Sequence, residues 1–470
     1  MTDKIPTIDH IEGSTLKNIF RMGIPSAVGF FSANMYDFID ALWVARLGPS
    51  HVAAITIFFG FYWVISSVNQ LAGTGSVSII SQNYGNKDFD RTEAAIKETF
   101  ILKWALAIFF GIIGLIFLDD VMRLLGATAE PIGPGAHSVL ELAKSYGTIQ
   151  FIGLGFSMCA YTNYTALRGI GNPQIAMYLM IASVCLNIVL DPFLIFGWWI
   201  FPAMGIEGAA LASVISYSAS FFAGLIIFYS GKANVKLNLR GKIPIKLKTL
   251  YRIIKIGAPS GINAISFSLS RTIVLAFVAT ISTEAVAAYG IGMKVSALSV
   301  MIIVGLGLGL AALIGQLLGA EKPERAKKTA FQAIGVALVT TITISLLTII
   351  FAGPIMQMFF NAQDSASEAK VIEIGIIMMR IIAICLPFVG AYIIMEMTFS
   401  GAGNNLPPMI FGIITGWLLE IPMIFIALKV LQWGEIGIWW SLTISAIVGN
   451  SMLFWWFSKG HWLTSRVKGE

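Results

Sequence analysis

The sequence predicts an all-α polytopic membrane protein of twelve transmembrane helices in two homologous six-helix lobes, related by a parallel pseudo-two-fold repeat. Three observations carry this prediction: a scarcity of charge, apolar runs that recur along the whole chain, and an internal repeat. Of 470 residues, 57% are hydrophobic and 12% charged, and the mean hydropathy is +0.81. Soluble domains carry about 25% charged residues, which excludes a water-soluble globular fold.

A bilayer-spanning helix needs ~20 apolar residues. Apolar runs of that order, broken by charged or Gly/Pro residues, lie at 19–47, 52–83, 99–118, 143–167, 174–198, 206–230, 252–281, 285–318, 329–352, 372–400, 408–431 and 436–457. Several exceed the bilayer thickness, so tilt, kinks or extension into water must absorb the excess. The polar residues 1–17 precede a run without a small-residue cleavage site, which reads as a first transmembrane helix and not a removable signal.

With twelve spans both termini share a side. One set of loops holds 22 Lys/Arg, including eight from Lys232 to Lys255, and the other holds 5. The positive-inside rule then places both termini in the cytoplasm. The net charge of +6 thus reports topology and gives no support for a nucleic-acid partner. Cys159, Cys185 and Cys385 fall inside apolar runs and read as small core residues.

The repeat has a constant spacing. Adding 234 takes Pro25-Ser26 to Pro259-Ser260, Val52-Ala53-Ala54 to Val286-Ala287-Ala288, Gln82 to Gln316, Gly85 to Gly319 and Arg91 to Arg325. The offset slips to 232 at Gly169–Asn172 against Gly401–Asn404, and to 229 where Gly205, Gly208 and Ser216 meet Gly434, Gly437 and Ser445. The chain divides into an N-terminal lobe (1–231), a basic cytoplasmic linker (232–249) and a C-terminal lobe (250–470). An even number of spans per lobe makes the repeats parallel, an arrangement that places a substrate path between them and suits alternating access by rocking.

The strings DALWVARLGPSHVAA, SQNYGNKDFDRTEAA, ALRGIGNP, LNIVLDPFLIFG and GIEGAALASVIS, in this order on a twelve-helix duplication, resemble the multidrug and toxic compound extrusion (MATE) transporters, DinF-like branch. The resemblance covers nearly the whole chain. It implies two six-helix bundles in a V, and export of organic, often cationic or amphiphilic compounds in exchange for inward H⁺ or Na⁺.

Asp37, Asp40, Asp191, Arg271, Lys294, Arg380, Glu396 and Glu420 lie within the apolar spans. A charge at the bilayer centre costs roughly 2.5–3.5 kcal/mol on insertion scales, so such residues face an interior and mark ion or substrate paths. Asp40 and Asp191 each lie seven residues before the outer end of their span, or ~10 Å beneath the outer face at ~1.5 Å per residue. Two carboxylates at one depth hold a cation or share a proton. Asn187 lies one turn before Asp191 on the same face, and Pro192 frees the carbonyl of Ile188. The oxygens of Asp40, Asn187 and Asp191 suit Na⁺ as well as H⁺. In the DinF-like branch the matching Asp on the first helix and Asn and Asp on the fifth form the coupling site, and Ser213 stands where that branch commonly has Thr. Asp37, at i, i+3 from Asp40, either assists or forms a structural pair.

Tyr36, Asn163, Arg271 and Glu420 are candidates for the substrate cavity. Under the 234 offset Asp40 corresponds to Val274 and Asp37 to Arg271, so the C-terminal lobe lacks this carboxylate site. Glu420 is either a second acidic station or, as favoured here, the ion-pair partner of Arg271 or Lys294. Glu396 is close enough to the cytoplasmic end to snorkel. The chain has no Walker A string and no HExxH, and its four His lie outside the spans.

The expectation is a secondary active multidrug exporter in the plasma membrane, multi-pass, without cofactor and not an enzyme. It acts as a monomer on small amphiphilic or cationic substrates, with the lipid bilayer as its solvent. A lipid-linked saccharide flippase of the same superfamily, marked by a basic central cavity, is the alternative, and a channel or receptor the less favoured one.

Overall fold

The structure is a computed structural model that describes residues 10–130, 137–238, 246–360 and 365–465; at Asp37, Trp63 and Ser66 it describes the backbone alone. Among the described residues every regular element is helical. The N-terminal half comprises α1 (Thr15–Ala45), α2 (Pro49–Gly85), α3 (Phe89–Leu124), α4 in two pieces (Val139–Ile152 and Leu154–Gly169), α5 (Pro173–Phe196) and α6 (Ile206–Tyr229). The C-terminal half comprises α7 (Leu247–Ala279), α8 (Thr283–Gly319), α9 (Pro323–Gln357), α10 in two pieces (Ala366–Ala383 and Leu386–Ala402), α11 and α12 (Gly434–Ser458). In α11, Leu406–Ile413 and Ile421–Lys429 flank a π-helical turn, Ile414–Glu420.

Eight of these helices are long and apolar enough to cross a bilayer on their own, and bent pairs raise the number to ten. α1 and α4 are the two that fall short. The polar side chains within α1 lower its hydropathy, and α4 is split at Gly153, the repeat mate of the 52° bend in α10 at Ile384-Cys385. The excess length of the spans is therefore absorbed partly by breaks at matched places in the two halves. Pro25, by contrast, leaves α1 continuous.

Local signals set the helix ends. Ser14, Ser138, Ser282 and Ser365 cap α1, α4, α8 and α10 by accepting a backbone N–H, and at Ser138 the Glu141 carboxylate returns the bond to complete a capping box. Pro49, Pro173 and Pro323 open α2, α5 and α9 within the first two positions, where a missing N–H removes no helix bond.

The halves meet with the symmetry of the repeat. α1 packs on α8 and α7 on α2, while α2 and α8 cross near the axis. Without a hydrophobic drive between helices in lipid, close approach over small residues holds such crossings. A Cβ at Gly75 would strike the carbonyl of Ile253, and one at its mate Gly309 the carbonyl of Met22. We expect Gly75→Ala and Gly309→Ala each to destabilise the purified protein by about 1–3 kcal/mol, the usual range for overpacking. Thermal unfolding in detergent checks this, and wild-type stability in both would show that the helices can part freely.

The face bearing His10 and Ser465 carries most of the basic loops and is called the basic face below. There, Ile11, Ile19, Met22 and Val77 of the N-terminal half share one apolar core with Ile303, Leu306, Leu310 and Leu313 of α8. The start of the linker is docked: Val235 and Leu237 are buried, Asn234 donates to the Ile170 carbonyl at 2.9 Å, and Lys97 donates to the Asn238 carbonyl at 2.6 Å. Cys159 and Cys385 are buried, whereas Cys185 is exposed on α5 and is not the core residue expected. In an amphiphilic environment an apolar run does not reveal which of its faces meets lipid.

Candidate functional site

α1, α5 and α6 bring the predicted residues of the N-terminal half into one buried region. Tyr36 is 7% exposed, Asp40 2%, Ser213 1%, and Asn187 and Asp191 0%. The α-helical period places Asn187 and Asp191 one turn apart on the face of α5 that packs against α1 and α6. Asn187 donates from Nδ2 to Asp191 Oδ1 at 3.2 Å. That bond holds the amide nitrogen against the carboxylate. Asn187 Oδ1 and Asp191 Oδ2 are both buried without a protein hydrogen-bond partner.

Unsatisfied acceptors in the interior cost about 1–3 kcal/mol each, and more when charged. Two of them stand one turn apart on α5, with no basic residue paired to Asp191 among the described residues. Pro192 continues α5 without an N–H and leaves the Ile188 carbonyl without its helical donor. Tyr36 donates its hydroxyl to Ser213 Oγ, which itself donates to the Ala209 carbonyl at 3.1 Å, and so ties α1 to α6 beside the pair. The Tyr36 ring also lies 5.8 Å from that of Tyr217.

Two further candidates remain. The side chain of Asp37 lies outside the described residues. Asn163 is fully buried, but its amide donates to the carbonyls of Ser220 and Phe221 at 3.4 and 3.0 Å and joins α4 to α6, with no bond to either aspartate. The structure adds residues that sequence reasoning passed over. Ser183 donates to the Ser216 carbonyl at 3.0 Å, and the hydroxyls of Tyr164 and Ser220 lie 2.7 Å apart. The signal was available in the helical spacing of Ser213, Ser216 and Ser220 and of Ser183, Asn187 and Asp191, two buried polar stripes facing each other.

In the C-terminal half, Arg271 and Glu420 form the favoured ion pair at 2.5 Å, with Ser270 donating to the other carboxylate oxygen at 3.3 Å. The Arg271 guanidinium also lies 5.0 Å from the Phe267 ring. Lys294 is exposed and takes no part in the pair. As substrate-cavity candidates, Arg271 and Glu420 are thus largely satisfied by each other.

Glu396 does not snorkel. It is half-buried and accepts from Asn263 Nδ2 at 3.1 Å, and the same amide reaches the Tyr392 hydroxyl at 3.0 Å. The partner comes from α7, a helix whose register against α10 no sequence spacing discloses. Among the described residues no group of three or more His, Cys, Asp or Glu gathers as a metal cluster. A surface hollow of about 590 Å³ beside Ala45, Pro49, Val52 and Thr56 has no ionisable lining and lies apart from both acidic groups.

The chain matches the MatE family model twice, over residues 25–193 and 259–426, one match for each half. It is 29% identical over 395 residues to "Probable multidrug resistance protein YoeA" of Bacillus subtilis, covering 84% of this chain and 82% of that protein. It is 26% identical over 449 residues to "Probable multidrug resistance protein NorM" of Thermotoga maritima, covering 95% and 93%. "Multidrug export protein MepA" of Staphylococcus aureus is 25% identical over 430 residues, covering 91% and 90%. Among solved structures, a MATE protein in the bent conformation superposes with a TM-score of 0.88 at 23% identity, covering 98% of this chain and 100% of that one. A MOP-superfamily transporter from Pyrococcus furiosus, described as having a binding pocket of reverse polarity, superposes with a TM-score of 0.88 at 22% identity, covering 99% and 100%. With the family model matched on both halves of one twelve-helix duplication, the chain belongs to the MatE family, the multidrug and toxic compound extrusion transporters.

Proposed function

We propose that this protein exports small amphiphilic or cationic organic compounds from the cytoplasm by antiport against inward H⁺ or Na⁺, with the coupling cation held by Asp40, Asn187 and Asp191. Its relatives are multidrug transporters and not enzymes, and it sits in the membrane as a multi-pass helical protein. The observation that carries the coupling site is the pair of buried, partnerless oxygens Asn187 Oδ1 and Asp191 Oδ2 in a fully buried face of α5. A proton on Asp191, or a Na⁺ bound by its carboxylate with the Asn187 amide oxygen as a further ligand, neutralises a charge that lipid and packed helices would otherwise oppose. Binding from the outside and release inside then bias the two lobes between arrangements. The likeness to the DinF-like branch in this half supports the same placement, and both termini lie in the cytoplasm on the positive-inside count.

A second placement, at Glu396, is favoured by its half-buried bond to Asn263 and the neighbouring Tyr392 hydroxyl. Glu396 differs from Asp191 in taking its donor from another helix, and of the two only Asp191 has a buried oxygen without a hydrogen-bond partner among the described residues.

The test is purified wild-type protein in liposomes loaded with a fluorescent organic cation. Efflux is followed under an imposed pH gradient and, separately, an imposed Na⁺ gradient. One of the two gradients drives movement of the dye against its own gradient. If neither does, the antiport reading is wrong.

A further inference from the structure

Gln82 and Gln316 are repeat mates, each three residues before the end of its helix, on α2 and α8. Gln82 is 5% and Gln316 0% exposed. Each crosses to the opposite half. Gln82 Nε2 donates to the carbonyls of Gly401 and Ala402, both at 3.1 Å, at the last turn of α10. Gln316 Nε2 donates to the carbonyl of Gly169, at 2.8 Å, the last residue of α4. Gly169 and Gly401 are themselves repeat mates, so the two side chains make one contact twice, related by the pseudo-two-fold.

The acceptors explain why an amide is needed. The last four carbonyls of a helix have no partner within it, and here they are packed between lobes away from water. An amide N–H from the other lobe satisfies them only while the lobes are together on this side. Close packing reinforces the arrangement: a Cβ at Gly85 would strike the Gln316 backbone and one at Gly319 the Gln82 backbone. The chain's N-terminal segment spans the same seam. His10 Nε2 lies 3.1 Å from the Gly171 carbonyl of the N-terminal half, while Arg325 of α9 donates to the Gly13 carbonyl at 2.5 Å.

We infer that Gln82 and Gln316 are the paired latch that closes the cleft between the lobes at the basic face, and that their release sets how often the cleft opens on that side. This rests on the proposed alternating movement of the lobes. When the lobes part there, the helix-end carbonyls exchange their amide donors for entering water, so the latch biases the equilibrium without trapping it. Each amide then holds the closed arrangement by roughly 3- to 10-fold, the population equivalent of a net buried hydrogen bond.

The experiment uses the full-length protein in lipid nanodiscs, with its three cysteines replaced and spin labels at Asp90→Cys and Glu324→Cys. These two positions are exposed repeat mates in the first turns of α3 and α9. Inter-label distances are measured in wild type, Gln82→Met, Gln316→Met and the double variant. Methionine keeps the length and bulk of glutamine and removes the donors. The expected result is that the longer-distance, open population grows about 3- to 10-fold in each single variant and by roughly the product in the double variant. Should the double variant fail to give monodisperse protein, the two single variants decide alone. Distance distributions identical to wild type in both single variants overturn the latch. A wild-type protein that shows one population in every substrate and ion condition instead overturns the alternating movement on which the latch rests.

Discussion

Asp191→Asn abolishes uphill export while leaving the protein folded. Asparagine keeps the shape of the side chain but holds no negative charge, so it neither takes a proton nor neutralises a Na⁺. Asn187 already donates to Asp191 Oδ1, and the variant's amide oxygen accepts that bond equally well, which is why folding should survive. One charge moving through 100 mV supplies ~2.3 kcal/mol, about a 50-fold accumulation ratio. The variant forfeits that ratio and equilibrates dye at best, as measured by efflux from liposomes at a fixed gradient. Asp40→Asn has the same outcome if the two carboxylates act as one site. Gradient-driven export at the wild-type level in both variants would remove the N-terminal site from the mechanism.

Arg271→Ala has the opposite profile, with a large effect on stability and no specific effect on coupling. Glu420 is 2% exposed and sits 2.5 Å from Arg271. Removing the guanidinium leaves a buried carboxylate with, among the described residues, only the Ser270 hydroxyl as donor. Breaking a buried pair from one side costs about 3–5 kcal/mol, and the lower end applies because the Arg271 side chain is 25% exposed. Replacing both partners, as in Arg271→Met with Glu420→Leu, removes the orphaned charge and returns most of the loss. Thermal unfolding in detergent of the single and double variants decides this. A double variant no more stable than the single one would mean that the pair is more than a structural bridge.

Much of the fold was legible because a bilayer permits so few solutions. Backbone groups in lipid must be satisfied within a helix, so apolar runs, their breaks and the 234-residue offset translate almost directly into spans and lobes. The two-part nature of α4 and α10 was not legible. Gly153 and Ile384-Cys385 lie within apolar runs, and a break there depends on how neighbouring helices crowd the backbone.

The site divides the same way. Asn187 and Asp191 were readable because their relation lies within one helix, where the period fixes the geometry. Relations between helices were not. Sequence left Glu420 with two possible basic partners, and only the crossing of α7 with α11 selects Arg271. Glu396 was assigned by its distance from a helix end, which carries no information about Asn263 on α7. Gln82 and Gln316 appeared in the sequence as markers of the repeat, and their function across the lobes emerged only when the helix-end carbonyls were placed beside them.

The central claim is that the coupling cation binds in the N-terminal half, and direct binding tests it more sharply than transport does. Purified protein in detergent is titrated with Na⁺ by calorimetry at neutral pH, and proton uptake is followed with a pH dye in weak buffer. Wild type, Asp191→Asn and Glu396→Gln are compared in both. Cation binding is lost in Asp191→Asn and retained in Glu396→Gln if the coupling site lies where α1, α5 and α6 meet. Binding retained in Asp191→Asn and lost in Glu396→Gln would contradict it and move the site to the interface of α7 and α10.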